Sequence, residues 1–320
     1  MQWFYGPGYD YGRNLPQHRE VHGFVLDRAS RIRARLLERG AVSEGELREP
    51  DPVGEAEVAE VHAPEVVADL HDAFAVSRAV EFDAIGFLPD DTVWGAVVAS
   101  QLHAAGGTCA ALRVAAGVDA APDWAANLSG GFHHARPDLS HGFCLVNDVA
   151  VAVARLRREG MHPRILILDL DLHQGDGNAT FFAKDDEVFT VSVHERAIFP
   201  TPKATSDLDV GLPGRVGDAD YLERLEDVLA ELAERPAPEV LIYVSGSDPF
   251  AGDPLGSLQL SAEGLARRDR RVAEFAASQG SALVALPAGG YSPESATLTA
   301  DGFAEIAAVH RQQVATGSGS

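Results

Sequence analysis

Leu168-Asp169-Leu170-Asp171-Leu172-His173-Gln174-Gly175-Asp176-Gly177 is the stretch on which the reading of this chain turns. It continues an apolar run, Arg164-Ile165-Leu166-Ile167, that predicts a buried strand. Three aspartates and one histidine then fall between positions 169 and 176. A core strand does not normally end in several charges, because each unpaired buried charge costs several kcal/mol or more. A divalent metal compensates such a cluster economically. Asp171 and His173 are two apart, so on an extended chain they point to the same side. An oxygen and a nitrogen donor aimed at one point suit zinc or a similar transition ion.

A second apolar run, 240–246, ends in Ser245-Gly246-Ser247-Asp248-Pro249. Asp248 occupies the equivalent place beyond its strand. Asp171, His173 and Asp248 would form a three-ligand site with an open fourth position, the mark of a catalytic metal. The alternative is that Asp248 caps a turn. Gly130-Gly131-Phe132-His133-His134-Ala135 puts adjacent histidines on a tight backbone. Asp169 and Asp176 flank the ligands without ligand duty, and a histidine backed by an aspartate is the usual general-base arrangement. Alone, such a histidine pair reads as surface. Gly142-Phe143-Cys144-Leu145-Val146-Asn147-Asp148 is a turn opening a helix, and Phe143 by itself reads as core. Pro287-Ala288-Gly289-Gly290-Tyr291-Ser292 lies at another strand end, where a tyrosine hydroxyl is able to stabilise an oxyanion. Taken singly, that segment is an ordinary turn.

The bulk numbers narrow the classes. The chain has 320 residues and 46% hydrophobic content, enough for one large α/β core. No stretch approaches the roughly 20 apolar residues that span a bilayer. Met1-Gln2-Trp3-Phe4-Tyr5 does not read as a secretory signal. Two cysteines, Cys109 and Cys144, build no disulfide framework, which fits a reducing cytoplasm. A net charge of −22 argues against nucleic-acid binding. It attracts cationic substrates such as basic protein tails, and serves solubility equally well. Strands are predicted at 83–87, 165–171, 188–194, 240–246 and 282–288, and helices at 148–159, 221–235 and 262–278. The acidic, proline-containing stretch 43–60 reads as surface connection. The N-terminal third reads as helices and loops walling the site. Alternating strands and helices predict a single-domain, three-layer αβα arrangement around a mostly parallel sheet. Sites on such sheets lie beyond the carboxyl ends of the strands.

Together these clusters resemble the zinc-dependent histone deacetylases of the arginase/deacetylase fold. The matching pieces are Gly131–Ala135, Gly142-Phe143-Cys144 with Asn147-Asp148, Asp169–Gly177, Ser247-Asp248 with Gly252-Asp253-Pro254-Leu255-Gly256, and Gly289-Gly290-Tyr291. They occur in family order from about Tyr5 to Val309. Gln174 stands where most members have a second histidine, which looks most like class IV and its bacterial relatives. The resemblance implies one deacetylase domain over 1–315 and a flexible tail, 316–320. It implies zinc held by Asp171, His173 and Asp248, with iron(II) as a substitute. His134 with Asp176 would be general base and then acid. His133 with Asp169 would stay protonated, and Tyr291 would bind the oxyanion. Gly142, Phe143, Phe199, Leu255 and Gly289 would contact substrate. A structural potassium ion would be held by Asp169, Asp171, His173, Ser192 and Val193.

The implied activity is hydrolysis of acetyl or longer fatty acyl groups from lysine side chains of protein or peptide. The competing readings are a deacetylase of small amines such as polyamines and a non-catalytic acyl-lysine binding module. Polyamine-selective members carry a glutamate where Leu255 sits. A two-metal ureohydrolase is disfavoured, because Asp248 is followed by Pro249 and no further aspartate until Asp253. Three departures stand out: Gln174, Ser247 for alanine and Ala288 for glycine. Asp90 and Asp91 are candidates for the acidic rim residue that grips a substrate backbone. Oligomeric state is left open.

Overall fold

The computed structural model describes residues 1–11, 15, 20, 21 and 24–317. Ten strands form, in chain order: β1 (Gln2–Phe4), β2 (Glu20–Val21), β3 (Phe24–Val25), β4 (Leu47–Arg48), β5 (Ala125–Asn127), β6 (Ile165–Asp169), β7 (Val188–Glu195), β8 (Leu208–Leu212), β9 (Val240–Val244) and β10 (Ala282–Leu286). β2 and β3 make a small antiparallel pair. The other eight form one sheet in the order β4-β1-β5-β10-β9-β6-β7-β8, and every neighbour pair is parallel. All five residues of β6, of β9 and of β10 are buried, as expected of strands covered on both faces.

Chain order explains where a site must lie. The chain leaves β5, skips two places in the sheet, and re-enters at β6; β9 and β10 later fill the gap. The crevice outside the carboxyl ends of strands at such a switch is the usual ligand site of an open α/β sheet. Here β5, β10, β9 and β6 are adjacent, and each feeds one of the polar segments singled out in the sequence.

Local signals account for the helices. Asn147 caps helix Asp148–Arg158 by accepting from the Ala150 N–H at 2.8 Å. Ser261 caps helix Ala262–Gln279 in the same way, and Gly280 ends it with φ 69°. The helix predicted over 221–235 begins earlier, as Asp218–Ala233.

Several expectations need correction. Residues 83–87 form a 3-10 turn, not a strand. Only Ile85 is buried there, so the segment has no two-faced burial to make it a sheet member. Residues 43–60 are more than a connection: Leu47–Arg48 adds an edge strand beside β1, and Val53 and Val58 enter the core. The N-terminal third also supplies β1. Helix Ser295–Gly317 runs into the predicted tail, whose residues 318–320 lie outside the described residues. Among the described residues, no helix is long and apolar enough to cross a membrane.

His62 ties the fold to the site. Its Nδ1 lies 3.0 Å from the Arg136 carbonyl, and its Nε2 accepts from the Asn147 N–H at 3.0 Å. These contacts require a neutral ring protonated on Nδ1. Burial depresses its pKa from 6.5 to about 4. Between those values the unfolded chain holds a proton that the folded one does not. Stability therefore falls as pH drops from 6.5 towards 4, by up to about 3 kcal/mol from this group. Urea unfolding at pH 7 and pH 4.5 should show a smaller pH-dependent loss in His62→Gln than in the parent chain.

Candidate metal centre and catalytic cleft

β6 ends at Asp169, so Asp171 and His173 lie just beyond it rather than on the extended strand. They still converge with Asp248. One donor atom from each of the three lies within 4.8 Å of the others, and all three residues are buried. His173 Nδ1 is 3.3 Å from Asp171 Oδ1 and 3.2 Å from Asp248 Oδ2. Asp248 is no turn cap, although its other oxygen accepts from the Leu172 N–H at 3.0 Å. Burial and then the Asp171 charge push the Asp248 carboxyl up to about 7. Two buried carboxylates with one imidazole are a donor set that fits a divalent ion. Gly289 makes the crowding possible. A Cβ there would stand 2.4 Å from Asp248 Oδ2 and 2.5 Å from Asp171 Oδ2. Its N–H instead donates to Asp171 Oδ2 at 2.8 Å.

The strand ends are held from behind by Arg268, a fully buried guanidinium. It donates to the Leu170 carbonyl at 3.2 Å and the Gly246 carbonyl at 2.8 Å, and pairs with Asp269 at 2.8 Å. One side chain thus spans the segments bearing Asp171 and Asp248. Gln174 acts laterally. Its amide donates to Asp209 at 2.7 Å and accepts from the Ala204 N–H at 2.8 Å, with no ligand role.

The histidine pair stands on a loop fixed by the helix start that follows it. Asp148 accepts from the Gly131 N–H at 2.9 Å and the Phe132 N–H at 2.7 Å, and Asn147 donates to the Ala135 carbonyl at 3.2 Å. His133 Nδ1 meets Asp169 at 2.7 Å, and His134 Nδ1 meets Asp176 at 2.8 Å. The two rings are 4.0 Å apart, yet their environments differ. Burial alone would lower His133, but the Asp169 and Asp171 carboxylates outweigh it and raise its pKa to about 9. Burial and the His133 charge depress His134 to about 3. Burial works against ionised Asp176, yet the imidazoles of His134 and His141 hold it below the ordinary carboxylate range. His141, unremarked in the sequence, places Nε2 3.1 Å from the second Asp176 oxygen.

The cleft above is lined by Glu81, His134, Gly142, Phe143, His173, Ile198, Phe199, Leu255 and Tyr291. Gly142 has φ 56°, and a Cβ there would meet His134 at 2.7 Å and Phe199 at 2.9 Å. Phe143 and Tyr291 rings are 5.4 Å apart, and Phe199 lies 4.9 Å from His134. Phe143 is therefore a wall, not core. A second cavity of about 80 Å³ lies deeper and shares His134, Gly142, Phe143 and Tyr291 with the cleft. Asp90 and Asp91 do not line the cleft; Asp90 instead accepts from the Ala73 N–H at 2.9 Å. The carboxylate at the mouth is Glu81, held at φ 53°. Its spacing to the motifs carries no signal, so sequence reasoning missed it. Of the residues assigned to potassium, Asp169 and Ser192 are register partners on β6 and β7, and the Ser192 hydroxyl lies 2.9 Å from His194 Nδ1.

Comparison with known proteins agrees with this architecture. The histone deacetylase domain family matches residues 22–307, and the chain belongs to that family. An uncharacterized protein of Picosynechococcus is 36% identical over 284 residues, which is 88% of this chain and 90% of that one. Histone deacetylase 2 of Arabidopsis thaliana is 30% identical over 294 residues, 90% of this chain and 74% of its own. The crystal structure of acetylpolyamine aminohydrolase from Burkholderia pseudomallei shares the fold, with a TM-score of 0.73, 24% identity, and coverage of 97% of this chain and 99% of that one. The HDA15 HD domain structure gives a TM-score of 0.74 at 23% identity, over 97% and 88% of the two chains. The fold is that of the arginase/deacetylase proteins, and the chain is a hydrolase of the histone deacetylase family.

Gly289→Ala should fold but bind a divalent ion such as zinc more weakly than the parent chain, because its methyl group meets both carboxylates. Zinc retained per chain after dialysis checks this; a stoichiometric ion would refute it.

Proposed function

We propose that the protein is a zinc-dependent amidohydrolase that removes acetyl groups from lysine side chains of protein or peptide substrates. The observation that carries this reading is geometric: the buried Asp171, His173 and Asp248 donors converge beside two adjacent histidines, each bonded through Nδ1 to a buried aspartate. Environments that push paired groups in opposite directions mark acid and base roles. A zinc ion held by Asp171, His173 and Asp248 would supply a Lewis acid that polarises the acyl carbonyl and activates water at neutral pH. Iron(II) suits the same donors.

His134 is neutral at pH 7. With Nδ1 tied to Asp176, it has Nε2 left to take a proton from the attacking water. It later returns that proton to the leaving amine. His133 remains an imidazolium whose charge supports the developing anion. Burial and the charges of Asp248 and Asp171 raise Tyr291 well above its ordinary pKa, so its phenol stays a donor for the oxyanion. The potassium ion that the family resemblance implies would be held by Asp169, Asp171, His173, Ser192 and Val193.

The second cavity, of about 80 Å³, offers room for an acetyl group, and longer acyl chains are the alternative reading. Leu255 at the rim favours a peptide over a polyamine, while Glu81 suits either a peptide N–H or a cation. Rates on acetyl-lysine peptide, long-acyl peptide and acetylpolyamine discriminate these readings. The expected order has acetyl-lysine peptide first, with activity abolished by a chelator. Absence of hydrolysis on all three would leave a binding module. Tyr291→Phe should lower kcat by roughly 10²–10³, as for loss of one oxyanion donor. Unchanged turnover would remove Tyr291 from the mechanism. Glu81→Ala should raise KM for peptide and leave kcat near the parent value.

A further inference from the structure

We infer that Asp253 is a positioning residue for Tyr291, an assignment that rests on the amidohydrolase reading above. Asp253 is 7% exposed and lies in the turn after β9. One of its oxygens accepts from the Tyr291 N–H at 2.7 Å and the Ser292 N–H at 3.1 Å. The other accepts from the Leu255 N–H at 3.1 Å. A single carboxylate thus gathers the backbone of the tyrosine loop and the backbone of the cleft rim. Its own place is set by its N–H, which donates to the Phe250 carbonyl at 2.9 Å.

The loop needs such an anchor. β10 ends at Leu286, and the chain then reverses through Ala288 at φ 46° and Gly290 at φ 143°. No strand ladder is left to satisfy its amides and carbonyls, and buried backbone groups require partners. Asp171 takes the Gly289 amide, the Gly130 carbonyl takes the Ala288 amide, and the Ser247 N–H donates to the Gly289 carbonyl; two side chains of opposite charge serve the rest of the turn. Arg28 donates to the carbonyls of Ala288 and Gly289. Asp253 takes the amides of Tyr291 and Ser292. Both of these hydrogen bonds fall on one carboxylate oxygen, at the residue whose side chain carries the phenol and at its neighbour. Asp253 stands outside the metal cluster, which among the described residues contains Asp171, His173 and Asp248.

A misplacement of about 1 Å in a catalytic group costs on the order of 10²-fold in rate. Asp253→Asn keeps the shape and removes the charge. We expect its kcat to fall by roughly 10- to 100-fold, with KM for acetyl-lysine peptide and zinc content unchanged. In a Tyr291→Phe background the same change should cost no further kcat, since the group being positioned is gone. Multiplying losses, or parental kcat in Asp253→Asn, would overturn the assignment. Amide hydrogen exchange provides a readout free of activity. Tyr291 and Ser292 N–H groups should exchange faster in Asp253→Asn than in the parent, with the Leu170 amide unchanged. Equal protection at 291 and 292 overturns the positioning role. A parent chain inactive on every acylated amine overturns the functional reading alone, because the exchange result still decides what Asp253 holds.

Discussion

Two carboxylates and an imidazole meet in the interior at the ends of β6 and β9, and everything around them answers the cost of that meeting. Asp171 and Asp248 are 0% and 1% exposed. The backbone supplies part of the compensation: the Gly289 amide on Asp171 and the Leu172 amide on Asp248. Two buried guanidinium groups stand further out. Arg268 holds the carbonyls of the strand ends, and Arg28 holds those of the tyrosine loop. Such an arrangement is poor as a stabilising device, because buried charge is costly even when paired. Its rationale is the concentration of donors at one point.

The sheet makes that concentration available without long reach. Because β5, β10, β9 and β6 are neighbours and all parallel, four carboxyl ends open on the same side. Each strand needs only a few further residues to deliver its group: His133 and His134 after β5, Tyr291 after β10, Asp248 after β9, and Asp171 and His173 after β6. Identical imidazoles then diverge through their partners alone. His133 faces the strand-end carboxylates, and His134 faces His133 itself. On the proposed reading, the contacts and not the residue type separate a protonated histidine from a neutral base.

Strands β6, β7, β9 and β10 were legible because a run of buried Val, Ile and Leu has no other reading at that length. The ends of β6, β9 and β10 were overshot by two residues each, while β7 runs one residue past its expected end. β1, β4 and β5 were not legible: three, two and three residues are too few to show a period. The 83–87 run failed for a physical reason, in that apolar content without burial on two faces does not make a strand. Among site residues, those in contiguous motifs were readable from charge at strand ends. Glu81 was not assigned a role because only the fold brings it to the cleft, and His141 and Asp253 were not because each makes a contact distant in sequence; Asp253 meets Tyr291 across 38 positions. No local spacing encodes such a contact.

The charge of the chain bears on substrate choice in a way that separates range from selectivity. A net −22 draws cations from a distance, but exposed charges are screened beyond about 8 Å at physiological ionic strength. The field therefore gathers basic partners without choosing among them. Choice falls to the few residues at the cleft. Phe143, Ile198, Phe199 and Leu255 offer apolar walls, against which the methylenes of a lysine side chain pack well once acylation has removed its charge. A free lysine would carry its ammonium into that apolar passage and lose solvation there. On the proposed reading the walls reject the product as readily as they admit the substrate, and the carboxylate of Glu81 engages whatever polar or cationic group remains outside.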